Sequence, residues 1–285
     1  MKILIKNFLL IIVFLSLTSF SYSLELNLKL SGSLNYFNPN HINLSLQSHE
    51  QLIRKLADFH PDWAFKEGEI KDFHLGTYFE GEVLLFFSPR IAAGISTGYL
   101  YGDMSEKKTS MSITRKSDTY IYMDPITINA FPLNMAAYYF FPIRNRLKLF
   151  VKGGGGLLWT KFVERKETKI MPANKFTFLL LQKATSLGKS FFSSIGLVYE
   201  AEESIHFFIE GQFRRAKISN FQGELKSGEK ATLYYYEEYN TDLDFWESKN
   251  QLFKEKPSGE TFRAVEKTVI DLSGISLILG FSFKF

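Results

Sequence analysis

Gly274-Ile275-Ser276-Leu277-Ile278-Leu279-Gly280-Phe281-Ser282-Phe283-Lys284-Phe285 closes the chain with a period of two. Ile275, Leu277, Leu279, Phe281, Phe283 and Phe285 share one face, and Ser276, Gly280, Ser282 and Lys284 share the other. Successive side chains of a β-strand alternate in this way.

Seven further segments carry the same period. Over 24–37, Leu24, Leu26, Leu28, Leu30, Leu34 and Tyr36 oppose Glu25, Asn27, Lys29, Ser31, Ser33 and Asn35. Over 73–87, Leu75, Phe79, Val83 and Leu85 oppose Glu80 and Glu82, and over 91–101, Ile91, Ile95, Tyr99 and Tyr101 oppose Gly94, Ser96 and Gly98. The fourth, 126–141, contains Pro132, which has no backbone donor and predicts a bulge or a shift of register. The fifth, 147–161, alternates Leu147, Leu149, Val151, Leu157 and Trp159 with Lys148, Lys152 and Thr160. The sixth and seventh, 191–200 and 205–214, set Phe191, Ile195, Leu197, Tyr199, Phe207, Ile209 and Phe213 against Glu200, His206, Glu210, Gln212 and Arg214.

The connections sort by length, independently of the alternation. Ser88-Pro89-Arg90, 142–146 and 201–204 are short; 38–72, 102–125, 162–190 and 215–268 are long. Short and long connections alternate throughout, as in an even-stranded bacterial barrel with short periplasmic turns and long external loops. A soluble β-sandwich has no reason to sort its loops so, and it hides its apolar faces against a second sheet. The expected fold is therefore all-β: an antiparallel up-and-down transmembrane β-barrel of eight strands, or ten if loop hairpins extend to full spans.

The start of the chain agrees. Lys2 and Lys6 precede an apolar run over 8–17, and Ser21 and Ser23 are small residues where a signal peptidase cuts. Residues 1–23 read as a signal peptide, with an uncleaved anchor as the alternative, and 24–285 as one barrel domain. Removing Lys2 and Lys6 lowers the basic residues from 34 to 32 against 30 acidic, so the net charge falls from +4 to +2. Such a balance does not suggest a nucleic-acid binder. With no cysteine, disulfides, thiolate metal sites and a lipidated cysteine are excluded. Aromatic residues form 16% of the chain, which suits the aromatic girdles of membrane barrels.

Taken over its mature length, the chain resembles the small outer-membrane barrels of the OmpA transmembrane-domain, OmpX and OmpW kind. The terminal Leu279, Phe281, Phe283 and Phe285 look like the signal read by the barrel-assembly machinery. The resemblance implies that machinery and periplasmic chaperones as partners, and the bacterial outer membrane as location. It departs from OmpA in carrying nothing after the eighth strand that reads as a peptidoglycan-binding domain.

An eight-stranded bore is just wide enough to be filled by side chains. Its expected lining holds Glu25, Glu80, Glu82, Glu200 and Glu210 with Lys29, Lys148, Lys152, Arg214 and Lys284, beside bulky Phe86, Phe192 and Phe208. Charges in so narrow a space are expected to pair across strands. The expected role is structural or surface-interacting, as a monomer among outer-membrane lipids and lipopolysaccharide, with an extracellular ligand taken by the loops. A small porin-like solute channel is the alternative, and a lipid-modifying enzyme a distant third.

The one Gly-x-Ser-x-Gly match, Gly94-Ile95-Ser96-Thr97-Gly98, falls inside the alternating segment 91–101 and not at a strand-to-helix turn, and no His-Glu-x-x-His occurs, so no catalytic residue, cofactor or metal is assigned. Gly153-Gly154-Gly155-Gly156 lacks a following Gly-Lys-Ser/Thr and reads as strand glycines that let a bulky neighbour approach. In the first long loop, Ser48-His49-Glu50-Gln51 reads as a capping box opening a short amphipathic helix over the mouth. Met111–Arg115 with Tyr120–Met123, and the segments either side of 171–174, read as hairpins. The cations Lys161, Arg165, Lys166, Lys169, Lys175 and Lys183 read as solvated surface or as contacts for lipopolysaccharide phosphates. The Tyr234-Tyr235-Tyr236-Glu237-Glu238-Tyr239 stretch with Asp242 to Glu247 reads as a tyrosine-rich hairpin or as a loop for glycan or protein contacts.

Overall fold

The computed structural model describes residues 25–172 and 175–285, without the side chains of 175–178. The signal-peptide reading over 1–23, and Leu24, lie outside the described residues.

In chain order the elements are β1 (Glu25–Phe37), α1 (Asn40–Phe59), β2 (Trp63–Ile70), β3 (Leu75–Ser88), β4 (Ile91–Met104), β5 (Thr109–Arg115), β6 (Asp118–Met123), β7 (Ile126–Arg144) and β8 (Leu147–Met171). There follow β9 (Lys175–Glu200), β10 (Ile205–Arg215), β11 (Lys217–Ile218), β12 (Gln222–Glu224), β13 (Lys230–Asn240), β14 (Phe245–Phe253), β15 (Phe262–Lys267), β16 (Ile270–Asp271) and β17 (Gly274–Lys284). Among them, β9-β10-β17-β1-β3-β4-β7-β8 are hydrogen-bonded in sequence and β8 returns to β9, making a closed ring of eight antiparallel strands. The terminal segment closes the seam, with Leu30 opposite Phe281 and Leu34 opposite Leu277.

The register fixes the ring's shape. A walk straight across the ladders from Tyr199 passes Phe207, Phe281, Leu30, Gly81, Thr97, Leu133 and Leu157, and comes back to the starting strand at Lys189. One circuit therefore climbs ten residues of β9. At about 3.3 Å rise and 4.8 Å strand spacing, that stagger tilts the strands by about 40° and gives a backbone radius of about 8 Å. Such a bore admits side chains and little else.

Alternation then assigns the faces. Leu34, Leu75, Phe79, Ile95, Leu133, Met135, Leu157, Trp159, Leu187, Phe191, Ile195, Phe207, Ile209, Phe213, Leu277 and Leu279 all point outward and are exposed. Between them lie buried inward residues such as Lys29, Asn35, Glu82, Ser96, Asn134, Lys152, Ser194, Glu210 and Arg214. Pro132 does not displace the register: Thr97 pairs Leu133 and Leu100 pairs Ala130 on the same count, and Pro132 sits opposite Leu158. Its carbonyl accepts the Thr97 hydroxyl at 3.0 Å, and with the register unshifted on both sides the expected bulge is not there. The irregularity in β7 falls instead at Pro142, beside the turn. In the four-glycine run, Gly154 faces inward, where the Phe192 ring lies 2.7 Å from the place a Cβ would take.

The short connections are turns, Pro89-Arg90, Asn145-Arg146 and 201–204. At the other end the ring strands continue upward as two wings. One runs β8-β6-β5-β2, including the paired Met111 and Tyr122 of the expected hairpin. The other runs β9-β12-β13-β14, with β15 on β13. The segments on either side of 171–174 do pair, as upward extensions of β8 and β9. All of these extra strands stand above the ring, so its count stays at eight rather than ten.

Helix α1 wedges between the wings and roofs the ring. It begins at Asn40, directly after Pro39, and not at Ser48. Proline presets a helical φ and lacks the donor that a first helical turn leaves unused, so it is the stronger start signal. Ser48 is buried inside the helix, where its hydroxyl accepts the Ser248 backbone N–H at 2.7 Å. The Asn43 side-chain amide clamps both backbone groups of Phe73, accepting at 2.7 Å and donating at 3.2 Å, which pins the helix to the segment leading into β3.

Candidate functional site

The interior is organised in layers along the bore. Midway, Lys29 Nζ lies 2.9 Å from Glu210 and 3.7 Å from Glu82, while Lys152 Nζ lies 3.2 Å from Glu82, 3.6 Å from Glu80 and 3.9 Å from Glu210. The Tyr138 hydroxyl donates to Glu82 at 2.5 Å and the Tyr78 hydroxyl donates to Glu80. Arg214 donates to Asn35 Oδ1 at 2.9 Å, and the same oxygen accepts from Ser276 at 2.5 Å. Residues from β1, β3, β7, β8, β10 and β17 thus meet on the axis. Three cations, Lys29, Lys152 and Arg214, stand against Glu80, Glu82 and Glu210, so the cluster is close to neutral.

Lys29, Glu82, Lys152 and Glu210 are at most 5% exposed, so solvent does not reach the centre of the knot. Below them Phe150 and Phe208 form an apolar collar with Phe86 and Phe140, and Lys29 Nζ lies 4.0 Å over the Phe208 ring. Above them Phe37, Leu100, Ile128, Ala130, Leu158 and Phe162 join Ile42, Leu46 and Ile53 of α1 in one continuous core. The bore is filled from collar to helix.

The remaining expected lining residues do not join the central cluster. Glu25, Lys148, Glu200 and Lys284 sit at the turn end in a vestibule of about 560 Å³, floored by Phe86, Phe140 and Val198 and shared with His206. There Lys148 pairs with Glu200 and Lys284 pairs with Glu25, all four partly exposed. The expected ten-membered network is thus a central knot and two separate rim pairs. Leu279, Phe281, Phe283 and Phe285 take the outward face of the last strand or its end, Phe285 being the most exposed at 75%.

A second buried knot lies in the cap, where sequence reading had placed solvated lysines. Lys166 points inward, 3.3 Å from Glu164 and 3.6 Å from Asp124, and His49 Nδ1 lies 3.1 Å from Asp124. Gln182 donates to Glu164 and, at 2.7 Å, to the Asn250 carbonyl, while Asn250 donates at 2.9 Å to the His41 carbonyl. These contacts tie β8 and β9 to α1 and to β14. Burial pushes the Glu164 carboxyl up to about 7; Lys166 opposes this and Asp124 adds to it. Burial also pushes Asp124 up, but Lys166 and His49 outweigh it and hold that carboxyl below its ordinary range. The signal for Lys166 was present: the period of two continues past Lys161, with Phe162, Glu164 and Lys166 inward and Lys161, Val163 and Arg165 outward.

The tyrosine-rich stretch is a hairpin, with Tyr239 opposite Trp246. Its rings are largely engaged: Tyr235 stacks on His41 at 4.4 Å, Trp246 is covered by Arg263 at 4.1 Å, and Tyr236 is buried. At the other wing tip Trp63 stacks on Tyr120 at 5.0 Å beside His60 and exposed Phe59. Among the described residues no group of three or more His, Cys, Asp or Glu side chains is arranged to hold a metal ion, and no helix is long and apolar enough to cross a membrane, which says nothing of strands. No protein-family model matches the sequence, and no curated protein matches it.

Proposed function

We propose that the ring is a bacterial outer-membrane β-barrel with a sealed bore, which carries a rigid extracellular cap and serves a structural or surface-interaction role as a monomer. One observation carries this: the ring wears its apolar residues outside and its charges inside. The outward band runs over eleven residues of β1, Leu26 to Tyr36, and thirteen of β7, Phe131 to Ile143. Inclined by about 40°, these spans climb about 25 to 30 Å, enough to cover the roughly 25 Å lipid-facing belt of a barrel. Tyr36, Tyr101 and Trp159 edge the band at the cap end, Tyr139, Phe141 and Tyr199 at the turn end, as interface girdles do. In water such a surface would drive association; in lipid it is the ordinary outside.

On this reading the short turns face the periplasm, the wings and α1 face outward, and residues 1–23 are the export signal. Leu279, Phe281, Phe283 and Phe285 serve as the assembly signal for the barrel-assembly machinery, reached with the help of periplasmic chaperones. The filled core disfavours a solute channel, and nothing in the vestibule arranges a nucleophile with its base.

The test is conductance. Refolded protein that shows a heat-dependent gel mobility shift is expected to give no discrete current steps across planar bilayers, for the wild type and for Glu82→Ala alike. Reproducible unitary steps would establish a pore and overturn the sealed bore; absence of the mobility shift would overturn the barrel.

A further inference from the structure

We propose that the outer wall over β8, β9 and β10 is a binding site for a phosphorylated glycolipid of the outer leaflet, with Lys161, Lys189 and Arg215 as its phosphate ligands. The inference rests on the barrel reading above.

All three side chains occupy outward positions and are exposed, and none has an ion-pair partner among the described residues. Leu157 faces Lys189 across one ladder, and Phe191 faces Arg215 across the next. Because the register climbs ten residues in eight strands, the true level slips a little more than one residue per strand. With that slip removed, Trp159, Lys189 and Arg215 stand at one height, and Lys161 about 6 Å above them. Trp159 marks the girdle. The cations therefore ring the boundary where acyl chains give way to headgroups.

They are confined to this sector. At comparable height the outward positions on the other five ring strands are Ile275, Tyr36, Leu75, Tyr101 and Asn129, none of them charged. Of the outward cations higher in the sector, Arg165 pairs with Glu167 and Lys217 with Asp271, while Lys183 stands six residues above Lys189 on the same strand, well clear of the boundary. A single lysine at a membrane edge snorkels to water without any partner. Three unneutralised cations on adjacent strands, with Lys161 four residues above Lys189 along the ladder, suit a headgroup that bears two separated phosphates, and phosphate oxygens make the strongest charge-assisted bonds to ammonium and guanidinium groups.

Beneath the cations the wall is lowered. Ala93, Ala137, Gly153 and Ser193 face one another in register across four strands. Phe191 leans over Gly155, but no atom lies within 4 Å of the place a Cβ of Gly153 would occupy. This shallow floor, bounded by Phe191 and Leu157 above and by Val151 and Ile195 below, fits an acyl chain descending from a headgroup held by Lys189. A phosphate bearing acyl chains, rather than a soluble anion, matches both parts.

The test compares retention of diphosphoryl lipid A with its dephosphorylated form. Folded protein is inserted into phosphatidylcholine vesicles doped with either lipid, re-extracted, and the bound lipid counted by mass spectrometry. Wild type is expected to retain diphosphoryl lipid A at least tenfold over the dephosphorylated lipid, and Lys161→Glu/Lys189→Glu/Arg215→Glu to erase that preference. Should the triple variant not fold, Lys189→Gln alone is expected to lower the preference at least threefold. Equal retention of both lipids by wild type, or an undiminished preference in the variants, overturns the site. A heat-dependent mobility shift in the same samples separates the two levels: with the shift present such a result removes the site alone, and with it absent the barrel and the site fall together.

Discussion

Lys152→Met is expected to cost the folded protein roughly 3 to 5 kcal/mol, the range for removing one partner of a buried ion pair. The ammonium is 2% exposed and lies within 3.9 Å of Glu82, Glu80 and Glu210. Methionine fills nearly the same volume, so the loss is electrostatic and not a cavity. What remains is three carboxylates facing Lys29 and Arg214 inside an apolar collar, where an uncompensated charge is costly. Adding Glu82→Gln restores neutrality and is expected to recover at least half of the loss. The two partners then show strong coupling in a double-mutant cycle. Urea midpoints in detergent micelles measure this; a single variant within 1 kcal/mol of wild type would mean that water or rearrangement neutralises the knot.

The second large effect is confined to the cap. Lys166→Met leaves Asp124 and Glu164 buried with His49 as the one cation able to join them, and is expected to lower hydrogen-exchange protection of α1 about a hundredfold while the ring strands keep theirs. The same knot makes cap stability depend on pH. Glu164 carries a folded value near 7 against 4.5 unfolded, so between these values the folded cap binds the extra proton. Stability therefore falls as pH rises from about 4.5 to 7, by up to about tenfold in protection per pH unit, and levels off above. Asp124 acts in the opposite sense: its lowered value contributes stability that is lost as pH drops through its folded value. The cap is tightest in mild acid. Glu164→Gln is expected to flatten the upper slope, whereas His49→Gln is expected to keep it; a slope that follows His49 would reassign the titration.

Much of the ring could be read from period two alone, because one face of each strand points outward and is apolar while the other meets the bore. That rule places Lys29, Glu82, Lys152 and Glu210 inward without any structure. It cannot say that Lys29 and Lys152 meet Glu210 while Lys148 and Lys284 stay at the rim. The ten-residue stagger decides which residues share a level, and stagger is a property of the closed ladder, not of any segment. The cap was harder to read for a different reason. Above Trp159 both faces of β8 carry charge, Lys161 and Arg165 outward and Glu164 and Lys166 inward, so alternation loses its apolar half and a strand resembles a loop. In α1 the apparent capping box at Ser48 competed with Pro39, and the backbone constraint of proline prevailed.

Because the chain contains no cysteine, each position of the last strand can be replaced singly by cysteine and carry the only label. Nitroxides at 275 through 283 in protein reconstituted into vesicles report access to membrane-dissolved oxygen against a water-soluble nickel chelate. At 275, 277, 279 and 281 high oxygen access with little nickel access is expected, and at 276, 278, 280 and 282 little access to either. Alternation with nickel reaching the odd positions instead would place that face in water and contradict the membrane-embedded ring.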